Sequence, residues 1–316
     1  MAKVTGAVAT YDVTTNREDL ADAVYRISPA DTPFVSAVPR TKATSVLHEW
    51  SLDTLDTVST TNAQLEGAEL SRASSTNPAR LQNYCQISSR DATVTGTQRA
   101  SNPAGIDDMM AFQKAKKSLV LRKDIEAILL GNQGQNAGNT TTARTLRSFN
   151  AWISGNGSRG TGGADSTAAT AAATDATTTN LVTFTETLLK DAILDAYADG
   201  GEPSLILMGP SNKQLFSAFT GRSNTRINID ESTVQAAATM YASDFGDLKV
   251  VPSRTMRPRD VYVIDTSKVA VSYLRAFVPQ DIAKVGDADT VNIVSEYTLE
   301  MRAPNAHALV ADTNGS

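Results

Sequence analysis

Few residues of this chain are of the types that do chemistry, and their spacing argues against a reaction centre. The two histidines, His48 and His307, lie far apart, each in a strand-like stretch, and each reads as a polar strand residue rather than a ligand. Without a cluster of His and Cys there is no zinc set. Cys85, the single cysteine, has no histidine near it in sequence and sits in an alternating stretch, so it reads as a small packed residue and not a nucleophile. Gly155-Asn156-Gly157-Ser158-Arg159-Gly160 spells GxGxxG but follows no apolar strand and opens no helix, so loop flexibility explains it better than a phosphate cradle. Asp244-Phe245-Gly246 copies the kinase metal triplet without its companions and reads as a turn before a strand. Gly286-Asp287-Ala288-Asp289 lacks the further oxygen ligands of a calcium loop and reads the same way. Lys114, Lys116 and Lys117 are spaced to touch phosphate, yet within an amphipathic helix they form its solvated or subunit-facing edge. Asn139-Thr140-Thr141 and Asn156-Gly157-Ser158 fit glycosylation sequons, which carry meaning only in a secreted chain. The expectation is a protein with no catalytic, cofactor-binding or metal residues.

Composition narrows the classes further. A length of 316 residues with 41% hydrophobic content is enough for a real core in one elaborate domain or two modest ones. The apolar runs are short, so no stretch approaches a membrane span, and residues 1–9 do not read as a secretory signal. One cysteine excludes an intrachain disulfide framework and suits a reducing site of synthesis. A net charge of −5 with 6% aromatic residues argues against a general nucleic-acid coat, leaving any such contact weak or local.

The elements that would position these residues are unusual in proportion. From 291 to 303 the odd positions read Val, Ile, Ser, Tyr, Leu, Met, Ala, and the even ones are mostly polar. This predicts one strand on the order of 40 Å long, far beyond ordinary strands, with Glu296, Thr298, Glu300 and Arg302 offered to solvent or a neighbour. Residues 1–44 form an arm, helical near 17–26 and extended around Pro29, Pro33 and Pro39. Residues 45–100 form a long two-stranded finger whose polar tip, about 60–78, is too poor in apolar residues to own a core. The spacing of Met109, Phe112, Ala115, Leu119, Leu121, Ile125 and Ile128 predicts a helix over 106–130, with Asp107 and Asp108 in its first turn. The Gly-, Thr- and Ala-rich stretch 154–180 reads as a mobile loop. A second unit begins with a capping box from Thr183 to Glu186 and a helix closed by Gly200-Gly201, followed by strands at 204–208, 248–251 and 261–264. An Ala-rich connection lies over 233–241.

This order of parts resembles the major capsid proteins of tailed bacteriophages with the HK97 fold, an α+β class. The local wording is similar to the SU10-type major head protein family: Thr32-Pro33-Phe34, His48-Glu49-Trp50, Gly200-Gly201-Glu202-Pro203, Ser243-Asp244-Phe245-Gly246, Ala283-Lys284-Val285-Gly286-Asp287 and Glu296-Tyr297-Thr298-Leu299-Glu300. The resemblance implies an N-arm over 1–44, an E-loop over 45–100, a P-domain made of 101–180 and 279–316, and an A-domain over 181–278. It implies self-assembly into hexamers and pentamers, an icosahedral shell around double-stranded DNA touched weakly and non-specifically, and maturation from a procapsid. Scaffolding, decoration and portal proteins would be further partners, with synthesis in a bacterial host's cytoplasm and no membrane involved. No residue here supports the lysine–asparagine crosslink of some members. The rivals are an encapsulin-like compartment, a tail or receptor-binding protein, and an enzyme.

Overall fold

The structure, a computed structural model, describes residues 29–56, 58–67, 77–101, 106–219, 239–284 and 286–314. The helix expected at 17–26 and most of the connection at 233–241 lie outside the described residues.

A single helical turn, α1 (Pro33–Ala37), opens the described chain, and Pro33 supplies the preset φ that suits a first helical position. Strand β1 (Arg40–Lys42) leads into the hairpin of β2 (Leu47–Leu52) and β3 (Ala79–Tyr84), with Leu47 opposite Tyr84 and Leu52 opposite Ala79. The finger is shorter than the sequence predicts. At Cys85, whose N–H donates to the Val46 carbonyl at 2.8 Å, the chain changes partner, and β4 (Gln86–Thr95) leaves the hairpin for a longer sheet. The turn α2 (Gly96–Ala100) and the long helix α3 (Met109–Leu129) follow. Asp108 lies just before the first turn of α3 as its N-cap, accepting from the Met110 N–H at 2.9 Å, so the helix begins at 109 and not at 106. Its 21 residues span about 31 Å. Leu121, Ile125 and Leu129 are buried, whereas Phe112 and Leu119 of the expected stripe are half-covered and Ala115 is exposed.

After α4 (Phe149–Trp152) and β5 (Gly157–Ser158) comes the stretch expected to be mobile, and it is tied down. Ala164 and Thr174 exchange backbone hydrogen bonds, Asn132 holds both backbone groups of Ala173, and Asp175 pairs with Arg257 at 2.5 Å. Helix α5 (Glu186–Ala198) is capped by Thr185, whose hydroxyl accepts from the Leu188 N–H; the expected cap, Thr183, accepts from Asn314 instead.

Strand β6 (Leu205–Met208), helix α6 (Pro210–Ser217), and strands β7 (Met240–Ser243), β8 (Gly246–Pro252) and β9 (Val261–Ile264) precede two 14-residue strands, β10 (Val269–Ile282) and β11 (Ala288–Met301), and a last short one, β12 (Ala308–Val310). Besides the two-stranded sheet of β2 and β3, two larger sheets result, β1-β10-β11-β4 and β5-β12-β9-β6-β8-β7. Central strands of the second are buried on both faces, which explains runs such as Leu-Ile-Leu-Met without alternation. Ile206, Met208, Val261 and Val263 pack with Leu189, Ile193 and Phe216 of the helices. Leu205, Leu207, Tyr262 and Ile264 turn the other way, into the main core with Leu121, Ile125 and Leu129 of α3. The inserted unit thus has its own small core and also shares the larger one.

The long strand is present, as β11, interior to its sheet between β10 and β4, but its second face differs from expectation. Tyr297, Leu299 and Met301 do enter the main core, but Glu296, Thr298 and Glu300 on the opposite face are buried too. Strand β10 shows no clear alternation in sequence because only Val269–Tyr273 are buried; most of 274–282 is exposed. Residues 278 and 279, the expected boundary between inserted unit and closing segment, lie inside this strand. Its register with β11 shifts between Tyr273 and Arg275 and again between Arg275 and Val278.

Candidate assembly surfaces

The finger divides at Leu52 into a pinned root and an open tip. At the root, Trp50 Nε1 donates to the Met301 carbonyl at 2.9 Å, and its ring lies 5.8 Å from that of Trp152. Asn83, fully buried, donates to the Leu299 carbonyl at 2.8 Å and to the Arg147 carbonyl at 3.1 Å, and accepts from the Arg147 N–H at 2.7 Å. His48 Nε2 lies 3.2 Å from Glu300 Oε2, which also accepts from Thr41 and Ser272 at 2.8 Å, while Arg302 reaches the other oxygen at 2.8 Å. Burial alone would raise the Glu300 carboxyl, but the bonds from Arg302, Ser272, Thr41 and His48 prevail and hold it at about 2. Glu296 is likewise held by Arg275 at 2.8 Å and Arg144 at 3.6 Å. Both carboxylates on this buried face of β11 are therefore paired, and Glu300 ties the finger root to the body.

Beyond Leu52 the hairpin ladder ends, and Leu55, Val58 and Leu65 are 97%, 89% and 84% exposed. Scattered apolar side chains on a surface are ordinary, but three of this exposure on one excursion with no described core beneath them form a contact surface. A second surface is the far half of the long sheet, where Ile87, Val278 and Ile282 stand out. A third lies on the inserted unit, where Tyr197 stacks on Phe245 with ring centres 4.5 Å apart beside exposed Leu194 and Met240.

The residues picked out for chemistry are not brought together. His307 is buried against Phe149, and its Nδ1 accepts from the Asp265 N–H at 3.1 Å; burial lowers its pKa to about 4. Burial pushes the Cys85 thiol up to about 11, leaving it protonated and unreactive at neutral pH. In the glycine-rich stretch the Gly155 N–H and the Arg159 guanidinium are both taken by the Asp165 carboxylate, so the loop holds an anion of its own. Asp244 and Phe245 form the turn joining β7 to β8, with Gly246 at φ 140°. Gly286, at φ 73°, turns β10 into β11, and Asp289 pairs with Lys284 at 2.7 Å and with Arg99. Lys114 stands 4.0 Å from Asp281, at the edge of a cleft of about 530 Å³ whose lining includes Arg99, Met110, Lys284, Asp289 and Thr290 but no histidine or cysteine. Among the described residues no three His, Cys, Asp or Glu side chains are grouped to hold a metal, and no helix is long and apolar enough to cross a membrane.

An elongated sheet crossed by a long helix, an inserted α/β unit and a protruding hairpin define the HK97-like class of phage coat subunits, and the solved structures agree. The capsid of a native GTA particle superimposes with a TM-score of 0.64 at 12% identity over 98% of this chain and 100% of its own. The SrpI encapsulin complex from Synechococcus elongatus PCC 7942 gives a TM-score of 0.54 at 12% identity over 95% and 93%. In sequence, the major capsid protein of Escherichia phage Phieco32 is 24% identical over 96% of both chains. The model of the SU10 major capsid protein family matches residues 6–314, and the chain belongs to that family.

Proposed function

We propose that this major capsid protein self-assembles into hexamers and pentamers that close into an icosahedral phage head around double-stranded DNA. The observation that carries this is the finger: a root fixed by buried hydrogen bonds and a tip with three almost fully exposed apolar side chains. Such a tip gains its burial from a neighbouring copy, and many weak contacts of this kind permit reversible assembly before a shell is locked. In this reading 1–44 is the N-arm, 45–100 includes the E-loop, and the long sheet with α3 is the P-domain, joined by β10. The inserted unit is the A-domain. The chain does no catalysis. Scaffolding, decoration and portal proteins join the assembly in the cytoplasm of a bacterial host, and DNA is met by weak contact only.

Deleting 60–77 tests the reading. The expected product is a folded chain, with an unchanged near-ultraviolet spectrum, that forms no closed shells by negative-stain microscopy; normal particles would sink the proposal. The encapsulin class shares this fold, and nuclease-resistant DNA inside purified particles separates the two.

A further inference from the structure

Glu126 is a charged residue type in the last turn of the long helix and is fully buried. Its carboxyl group joins three parts of the chain. Oε2 accepts from the Val35 N–H of α1 at 3.3 Å, and Oε1 accepts from the hydroxyls of Ser253 and Thr255, just after β8, at 3.3 and 3.4 Å. The N-cap residue of α1, Thr32, makes no side-chain capping bond, so Glu126 caps that helix from a distance of 91 residues.

Among the described residues no cation balances this group. Helix α1 carries no charged side chain, and the residues flanking it are Asp31 and Arg40. On α3, Arg122 donates to Ser36 and Asp124 pairs with Arg90, while Lys123 neighbours them on the helix; on the third element, Arg254 follows Ser253, and Arg257 is held by Asp175 and Asp260. None of these makes an ion pair with Glu126 among the described residues. A buried carboxylate with hydrogen bonds but no counter-charge is costly, and a neutral one is not.

We propose that Glu126 is a proton-linked clasp: protonated, it holds the arm helix α1 and the loop at 253–255 on the long helix; ionised, it favours release of the arm. Burial, opposed only by hydrogen bonds from the Val35 and Phe34 backbone and the Ser253 and Thr255 hydroxyls, raises its pKa from 4.5 to about 7, so closing the clasp takes up a proton. The closed state is thus favoured below the ordinary glutamate range and weakens as pH rises toward the closed-state value. Across that window the ratio of closed to open changes by about two orders of magnitude. The clasp is a property of the single chain and does not depend on shell formation, which microscopy scores separately.

Hydrogen exchange of the full chain between pH 5 and 9, expressed as protection factors, tests it at the Ser36 and Val38 amides, which are bonded within α1. Protection relative to α5 should fall as pH rises from 5 and level off near 7 in the wild type. Glu126→Gln, neutral at every pH, should keep α1 protected and remove the pH dependence. A flat wild-type profile, or an unchanged slope in Glu126→Gln, overturns the proposal. Should Glu126→Gln not fold, the double variant Ser253→Ala/Thr255→Ala decides: with two donors to the carboxylate gone, the pH at which protection levels off must move up, and an unmoved levelling point refutes the clasp.

Discussion

Replacing the three tip side chains by serine, Leu55→Ser/Val58→Ser/Leu65→Ser, should separate assembly from folding. Because these residues are 97%, 89% and 84% exposed, they have almost no intrachain contact to lose, and subunit stability should change by less than about 0.5 kcal/mol. In a shell the same side chains become covered. Fully burying a leucine or valine is worth about 1.5–3 kcal/mol, so three supply roughly 5 kcal/mol or more. Allowing half of that for incomplete coverage and ordering of the tip leaves about 2–3 kcal/mol per finger contact. At about 1.4 kcal/mol per factor of ten, each contact weakens about 30- to 150-fold. Sedimentation velocity across a concentration series gives the threshold for shells, and urea denaturation of the unassembled subunit gives the stability. The expected pair of results is an unchanged urea midpoint and a threshold raised by at least tenfold. Shells at the wild-type threshold would refute the role of the tip, and a lowered urea midpoint would show that it packs on its own chain.

The root should respond in the opposite sense. Asn83→Ala strands the Leu299 carbonyl and both backbone groups of Arg147, and should cost about 3 kcal/mol in urea denaturation. His307 has a pKa lowered by burial from 6.5 to about 4, so the unfolded chain binds its proton first on acidification. Its contribution is complete above pH 6.5 and is lost as pH falls toward 4, a swing of about 3 kcal/mol that should be absent from the pH profile of His307→Gln and so appear in full in the stability difference between it and wild type. Cys85, buried with its thiol pushed up to about 11, should resist iodoacetamide at pH 8 in the native protein and react fully in urea.

What the sequence made legible followed from local periodicity. The long strand and the long helix announce themselves because one face of each is apolar over many residues. What it hid was decided by distant partners. Glu296, Thr298 and Glu300 look like a solvent face, yet all three are buried, and Thr41, His48, Arg144, Ser272 and Arg275 converge on the two carboxylates from four other segments. The run from 81 to 97 looks like one strand, yet Cys85 divides it between two sheets, a choice made by tertiary pairing. Strand β10 escaped notice because its outer half has no buried face and includes Pro279. The loop at 154–180 looks mobile by composition, whereas a few residues, Asn132, Asp165 and Asp175, hold it. Leu55, Val58 and Leu65 sit too sparsely among polar residues for any periodicity to mark them, and Glu126 resembles any helix carboxylate until its burial is seen.

The register shifts in β10 fall where the strand passes from core to surface. A bulge bends a strand and loosens its ladder, so any tilt of this sheet is expected to concentrate here. The outer stretch, 274–282, then behaves as a lever about 30 Å long. A tilt of about 5° at the bulges carries its far end by about 2.6 Å, roughly half the spacing between neighbouring strands. One amino-acid sequence can therefore meet neighbours at slightly different angles, as a closed surface of varying curvature demands, without slipping a single pairing in the buried half.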